Sequence, residues 1–499
     1  MKVSPATHVV KELRGRLIDP LGRLPLYRAL AAAHALVRTE QPVSRVVMKF
    51  GGTSVGIAAN LVGALDVIAK QAAADAAAPI VVVSALSGVT NLLVEFCALP
   101  SRREALAARL IERHTSYVAE IGFGAEAIAP LLDEWRPLAA ASAGLGALTA
   151  AARDNVLAMG ERFAAAIVAA GLTARGIRAV AVVAGEAGLV TDERFGAAHP
   201  LPEAQDLLSR RLGPDSDTVT VFTGFLGRTL DGRTTTLGRG GSDYSAAIVG
   251  AAIQAREIQI WTDTSGLLSA DPRIVPEARP VPHLSFVEAS ELAYFGAKVL
   301  HPKTLLPAID RGIAVRILNT ARPGDEGSRI TPTAEPTDAP WRVKSIACKK
   351  AVTAVTIVST RMLLAHGFLA RVFEVFGRHH LVVDLVTTSE VSISVTLDDT
   401  SRLEEALAEL EGIGRVEVRD GLAVVAVVGE GAPTRVGLAG HVFTLLGGVG
   451  IAVEMISQGA SRVNLSFVVR EDDADKSVRL LHRGLGLDLD VPSAAAAPR

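Results

Sequence analysis

The stretch RVVMKFGGTSV, residues 45–55, decides the fold. Its first half is an apolar run without polar alternation, closed by Lys49, and such runs suit strands covered on both faces, as in parallel sheets. Gly51 and Gly52 then allow a sharp change of direction, and Thr53 and Ser54 lead into a helix. Working outward, PIVVVSA (79–85), AVAVVAG (179–185), TVTVFTGF (218–225) and EIQIWTD (257–263) have the same texture. Ala-rich helical stretches at 151–170 and 243–255 lie between several of them. The alternation predicts an α/β domain over residues 45–320, a mostly parallel sheet sandwiched by helices, with these runs buried on both faces.

Beyond it the texture changes. ARPGDEGSRITPTAEPTDAP (321–340) holds four prolines and two glycines without apolar period, and 321–343 reads as a linker. Residues 344–487 then carry two similar blocks. Strand-like TAVTIVST (353–360), a helix at 367–380, two strands and helix-like RLEEALAEL make the first. LAVVAVVG (422–429), a helix near 434–447, two strands and a helix at 473–484 make the second. The repeated order predicts two small α/β sandwiches arisen by duplication. Residues 1–44 form an extension of unassigned role, lacking the apolar core of a signal peptide, and 488–499 read as a tail.

At 499 residues the chain is too long for one core. Lys and Arg number 51 against 53 Asp and Glu, so no broad positive field exists and nucleic acid is not an expected partner. Cys97 and Cys348 are the only cysteines, too few for a disulfide framework or a Cys-rich metal site, and a reducing, cytoplasmic setting fits. The longest uncharged run, 76–94, is interrupted by Pro79, Ser84, Gly88 and Asn91, so no membrane association is expected.

Four polar clusters fall at the ends of these runs. Lys49-Phe50-Gly51-Gly52 offers turn amides and a point charge, a combination that favours anions. Gly238-Arg239-Gly240-Gly241-Ser242-Asp243 precedes an apolar helix that Ser242 could cap, leaving amides and a guanidinium for a carboxylate or phosphate. Trp261-Thr262-Asp263 with Asp271-Pro272-Arg273 lies past a strand end, where open α/β sheets bind ligands. Phe295-Gly296-Ala297-Lys298 stops before Pro302. Taken singly, each also suits a plain turn, cap or hydrated loop. No Gly-Lys dipeptide occurs, so a Walker-type loop is excluded.

Taken together, KFGGTSV (49–55), SALSGVTN (84–91), GER (160–162), FTGFLG (222–227), TTTLGRGGSDYSAA (234–247), WTD (261–263), DPR (271–273) and FGAKVLHP (295–302) resemble the aspartate kinases of the amino-acid-kinase superfamily, over residues 45–487. The resemblance implies transfer of the γ-phosphoryl group of MgATP to the β-carboxylate of L-aspartate, opening lysine, threonine and methionine biosynthesis. It implies that Lys49 stabilises the transferring group and Asp243 orients the cations. Arg239 would grip the α-carboxylate and Glu161 face the amino group, with Thr90, Phe225, Gly240 and Ser242 completing the substrate pocket. Gly51, Gly52, Thr262, Asp263, Arg273 and Lys298 would join Lys49 around ATP; Leu268 stands where relatives often carry an aromatic residue. The acceptor is a carboxylate with an ordinary pKa of about 4, so no general base is required. Mg²⁺ would ride on ATP oxygens and water, and no metal cage is expected from the protein.

By the same resemblance the C-terminal blocks look like ferredoxin-like ACT domains of the lysine-sensitive, monofunctional branch. Met362, Phe368, Leu369, Val383, Asp384 and Ser389 match effector positions, with Asp384 facing an ammonium group. Read without the resemblance, Asp384 could also be exposed in a loop after a strand, the lesser of the two readings. No G-x-G-x-x-G follows the second block, so no fused dehydrogenase is expected. A homodimer or higher oligomer through the ACT domains is implied. The alternatives are a sibling kinase acting on glutamate or N-acetylglutamate, and a catalytically dead sensor that would have lost Lys49, Asp243 or Lys298.

Overall fold

The structure, a computed structural model, describes residues 45–213, 216–296, 302–333, 341–363, 365–459 and 462–488. Strand β1 (Val46–Phe50) lies near the centre of an eight-stranded sheet and is buried along its whole length. β2 (Ile80–Val83), β3 (Ala179–Val182) and β4 (Val219–Thr223) flank it on one side in the order β3-β4-β2-β1. A two-stranded ribbon, β5 (Leu226–Arg228) and β6 (Thr234–Thr236), stands apart. On the other side run β7 (Glu257–Thr262), β9 (Val315–Asn319), β10 (Ser328–Thr331) and β8 (His283–Ser285). From β3 to β9 every neighbouring pair is parallel, and β10 runs antiparallel to β9.

Two readings need correction. The run at 179–185, expected to be covered on both faces, is the sheet edge, where β3 leaves Val180 47 % exposed. A four-residue apolar alternation does not distinguish an edge from an interior strand. β10 lies inside the stretch read as linker, and its buried Ser328 and Ile330 extend the sheet. Surrounding prolines and charges hide so short a strand.

Helices cover both faces. One core layer joins Val46, Met48, Phe50, Val81 and Val83 to helices that include α2 (Met159–Ala174), entered from α1 (Ala150–Leu157). The continuous run Ala150–Ala174 is apolar and long enough to cross a bilayer, and most of it is buried here as core. The opposite layer joins Val47, Ile80, Ile258 and Ile260 to α3 (Gly241–Ala252) and α4 (Phe286–Phe295). That layer continues without a break into the C-terminal sheet through Ala347, Val352, Ala354, Leu422 and Val424.

The C-terminal region is one six-stranded antiparallel sheet in the order β12-β13-β11-β14-β16-β15. It comprises β11 (Ser345–Val358), β12 (Val386–Thr388), β13 (Ser392–Leu397), β14 (Arg415–Val428), β15 (Met455–Ser457) and β16 (Asn464–Arg470). Helices α5 (Phe368–Arg378) and α6 (Leu403–Leu410) back the first sandwich; α7 (Leu438–Gly448) and α8 (Glu471–Gly484) back the second. The two are interlocked rather than consecutive. Ser345–Lys349 pair with the second half of β14, whereas Thr353–Val358 pair with β13 and with the start of β14. The second sandwich therefore takes a strand from upstream of the first. The ladder breaks between Lys349 and Val352, where Ala351 has φ +57°, and the charged Lys349-Lys350 pair disguised the first half of the strand.

Helix α4 bonds the two regions. Ser285 and Glu288 close its N-terminus as a capping box. Buried Glu288 also meets Lys344 Nζ at 3.0 Å and accepts from the Glu430 amide at 2.7 Å. One turn on, Glu291 accepts from Asn464 Nδ2 at 2.6 Å. Residues spaced by three share one helix face, so α4 presents this row of polar groups to the regulatory sheet.

Candidate active site

Parallel strands end together, so side chains that close β1, β4 and β7 gather at one rim of the sheet. Lys49, the penultimate residue of β1, is 9 % exposed there. Its Nζ lies 2.6 Å from Asp243 Oδ1 in the first turn of α3. Both side chains are largely screened from water, at 11 % and 15 % exposure, so the pair is held in a medium where charges act strongly.

The turn after β1 needs its glycine. A Cβ on Gly52 would stand 2.8 Å from the Ala85 carbonyl oxygen, so a side chain there would push the turn away from β2. α3 opens differently from the sequence reading. Gly240, at φ +71°, occupies the N-cap and no side chain caps the helix. Ser242 packs inside the first turn, where a Cβ on Gly224 would lie only 2.7 Å from its own Cβ. The Gly241 amide turns back to the Gly238 carbonyl at 3.0 Å, and no side chain caps the amides of Ser242 and Asp243, which suits an anion better than an internally capped end. Phe225 also has positive φ (+66°) and is fixed through its amide, which donates to Ser245 Oγ at 3.0 Å.

A cavity of about 670 Å³ gathers Lys49, Thr90, Glu161, Phe225, Arg239, Gly240, Ser242 and Asp243 on one wall system. Glu161 is 4 % exposed and accepts from the Ala85 amide at 3.1 Å. Burial pushes its carboxyl up to about 8, against the lesser opposing effect of that hydrogen bond. Arg239 is exposed and makes no hydrogen bond or ion pair among the described residues. Asn91, Phe195, Arg153 and Asp154 line the same cavity and escaped the sequence reading. Of these, Asn91 lay within a quoted motif, while Arg153 and Asp154 sit in the expected helical stretch 151–170 outside any quoted motif.

The residues assigned to the nucleotide divide. Gly51 and Gly52 form the turn beside Lys49, and Thr262 ends β7. Asp263 and Arg273 line a second cavity of about 370 Å³, together with Leu268, Gly296 and Ser345–Cys348 of β11. The loop carrying them leans on the second sandwich: Ile346 N donates to Ser269 O at 2.9 Å, and Ser269 Oγ meets His482 Nε2 of α8 at 2.9 Å. Lys298 lies outside the described residues. Among the described residues no cluster of three His, Cys, Asp or Glu side chains could hold a metal ion.

The residues matched by resemblance to effector positions fall on the first sandwich. Phe368 is buried in its core, with Met362 and Val383 packed partly buried against it, while Leu369 and Ser389 are exposed. The Asp384 side chain is fully covered, with Lys349 Nζ 2.9 Å from Oδ2. Lys349 also reaches Asp398 at 2.7 Å and lies 4.5 Å from the ring centre of Tyr294.

A strand-end lysine, an open helix N-terminus and a polar cavity on a parallel sheet define a phosphotransferase of the amino-acid-kinase class. The model of the amino acid kinase family matches residues 44–319, and that of an ACT domain matches 425–485. The chain is 36% identical over 485 residues to aspartokinase 1, chloroplastic, of Arabidopsis thaliana, covering 93% of this chain and 84% of the relative. It is 36% identical over 463 residues to lysine-sensitive aspartokinase 3 of Escherichia coli, covering 88% and 99%. The crystal structure of E. coli aspartokinase III with aspartate and ADP, in its R-state, superposes with a TM-score of 0.75 at 35% identity, over 89% of this chain and 100% of that one. The chain belongs to the aspartokinases.

Proposed function

We propose that the enzyme moves the γ-phosphoryl group of ATP onto the β-carboxylate of L-aspartate, giving the mixed anhydride 4-phospho-L-aspartate. The observation that carries this reading is the convergence of Lys49, Glu161 and the Arg239–Asp243 stretch on one cavity from three separate segments of chain. Bringing an anionic nucleophile to a polyanion is the central difficulty, and it is met by spread positive charge and in-line positioning. Lys49, held by Asp243, neutralises charge on the transferring group. The uncapped amides of Ser242 and Asp243 serve the same oxygens, and Arg239 and an ionised Glu161 hold the two ends of the amino acid. Asp263, Arg273 and Lys298 are assigned to ATP. Mg²⁺ carried on the nucleotide supplies further charge neutralisation. The aspartate and ADP in the E. coli structure support this assignment.

We further propose that lysine inhibits through the first sandwich, with Asp384 as the partner of its ammonium group. A related E. coli crystal form contains lysine with aspartate in a T-state, which supports this reading. Exposed Leu369, Phe373, Val386 and Val391 on that sandwich support pairing of two chains there, into at least a dimer. For domain boundaries, we propose a catalytic unit that runs from 45 past 320 to include β10, and a regulatory pair at 344–487.

Trapping the acyl phosphate with hydroxylamine, with aspartate and then glutamate as acceptor and with lysine titrated in, tests the reading. Product from glutamate and none from aspartate would overturn the acceptor. Activity indifferent to lysine would remove the effector.

A further inference from the structure

We infer that Arg153 is a second carboxylate-binding residue of the acceptor pocket, gripping the α-carboxylate of aspartate alongside Arg239. The inference rests on the reading of the 670 Å³ cavity as the aspartate site.

Three cationic side chains line that cavity: Lys49, Arg153 and Arg239. Lys49 is committed to Asp243. The Arg153 and Arg239 residues are exposed, and neither guanidinium makes a hydrogen bond or ion pair among the described residues. Two free guanidinium groups on one concave wall leave five donors each to be met by a ligand, and planar guanidinium suits a carboxylate best.

The two arginines are also tied to the same piece of scaffold. Asp154, next to Arg153 on α1, accepts from the Thr236 amide at 2.7 Å and from Thr236 Oγ1 at 3.0 Å. Its second oxygen further accepts from the Gly196 amide at 2.9 Å. Thr236 ends β6, and Arg239 follows three residues later. The buried Asp154–Thr236 contact therefore fixes α1 against the segment that carries Arg239, with one arginine on each side of it. A buried carboxylate that accepts three hydrogen bonds is a rigid support for a binding residue on the adjacent turn.

Which carboxylate they take follows from the chemistry. The β-carboxylate must keep an oxygen free to attack phosphorus beside Lys49, and two guanidinium forks would tie up that nucleophile. The α-carboxylate takes no part in bond making and can be held from two sides.

The test is steady-state kinetics on the full-length enzyme with aspartate and ATP varied in turn, using L-aspartate and its α-amide as acceptors. Arg153→Ala should raise the KM for aspartate about tenfold or more, the worth of a charge-assisted hydrogen bond, and lower kcat by a smaller factor. Its KM for ATP should move by less than about twofold. Arg153→Lys should recover part of the loss, and preference for aspartate over the α-amide should shrink in Arg153→Ala. An aspartate KM within about twofold of the parent, or a rise confined to ATP, overturns the assignment. Arg239→Ala separates the two levels. If it alone raises the aspartate KM, the cavity stands and Arg153 does not contribute; if neither variant does, the acceptor site itself lies elsewhere.

Discussion

Tyr294, on helix α4 of the catalytic domain, donates its phenolic hydrogen to Oδ1 of Asp384 in the first regulatory sandwich. Lys349 occupies the other carboxylate oxygen and lies against the face of the same tyrosine ring. Burial, reinforced by the neighbouring Asp384 charge, pushes the phenol well above its usual range, so it stays a donor at any physiological pH. The carboxylate proposed to receive an effector ammonium is thus already satisfied from within the chain.

An incoming ammonium group must displace one of these partners. Tyr294→Phe removes a competitor, and half-inhibition by lysine should then occur at a concentration about fivefold lower. Inhibition curves at fixed aspartate measure this. A higher half-inhibitory concentration would mean that the tyrosine bond belongs to the inhibited form. Asp384→Ala should abolish the lysine response in the same assay.

Lys49→Ala and Asp243→Ala should each lower kcat by about a thousandfold, since charge on the transferring group then lacks its positioned cation. Far-UV circular dichroism should be retained, because the pair sits at a strand end rather than in the core. Near-normal turnover in either variant would displace the active site from this rim.

Glu161, proposed to face the substrate ammonium, should make aspartate binding sensitive to pH. Its carboxyl, ordinarily near 4.5, is raised to about 8 by burial, so at neutral pH the empty enzyme holds it mostly protonated. The substrate ammonium favours the ionised form, so binding releases a proton. The KM for aspartate should fall as pH rises from 6.5 and level off above about 8. Folding stability of the free enzyme carries the opposite sign. A raised carboxyl pKa stabilises the fold fully below about 4.5, and that contribution is lost as pH climbs through about 8. Glu161→Gln should remove both slopes, as read by kinetics and by thermal melting across pH.

Arg103 should matter for stability alone. It is 1 % exposed, and its guanidinium donates to the carbonyls of Phe96, Cys97, Ser142, Leu145 and Gly146. Those carbonyls close two helix ends, so Arg103→Ala would orphan them together and should cost about 3 kcal/mol or more in urea denaturation.

Much of the fold was legible because β1, β2, β4 and β7 are short, mostly apolar runs that alternate with helix-length segments, the texture of a covered parallel sheet. β8 and β10 were not, since three or four residues of mixed polarity carry no period. The interlocked regulatory strands escaped for a similar reason: charge at Lys349 and Lys350 interrupts β11 where its partner changes. Within the site, motif-borne residues such as Lys49, Arg239 and Asp243 were identifiable. The positive φ of Phe225, the glycine cap at Gly240 and the placement of Arg153 depend on chain segments far apart in sequence, and only folding brings them together.

The apolar layer that runs from Ile258 and Ile260 through Leu292 and Phe295 into Val352 and Val424 welds engine to governor. Cutting the chain after β10 would strip that surface bare, so a feedback-resistant enzyme made by truncation should clump rather than run free. Desensitised forms are better sought by single changes along α4, where the two parts grip each other tooth by tooth.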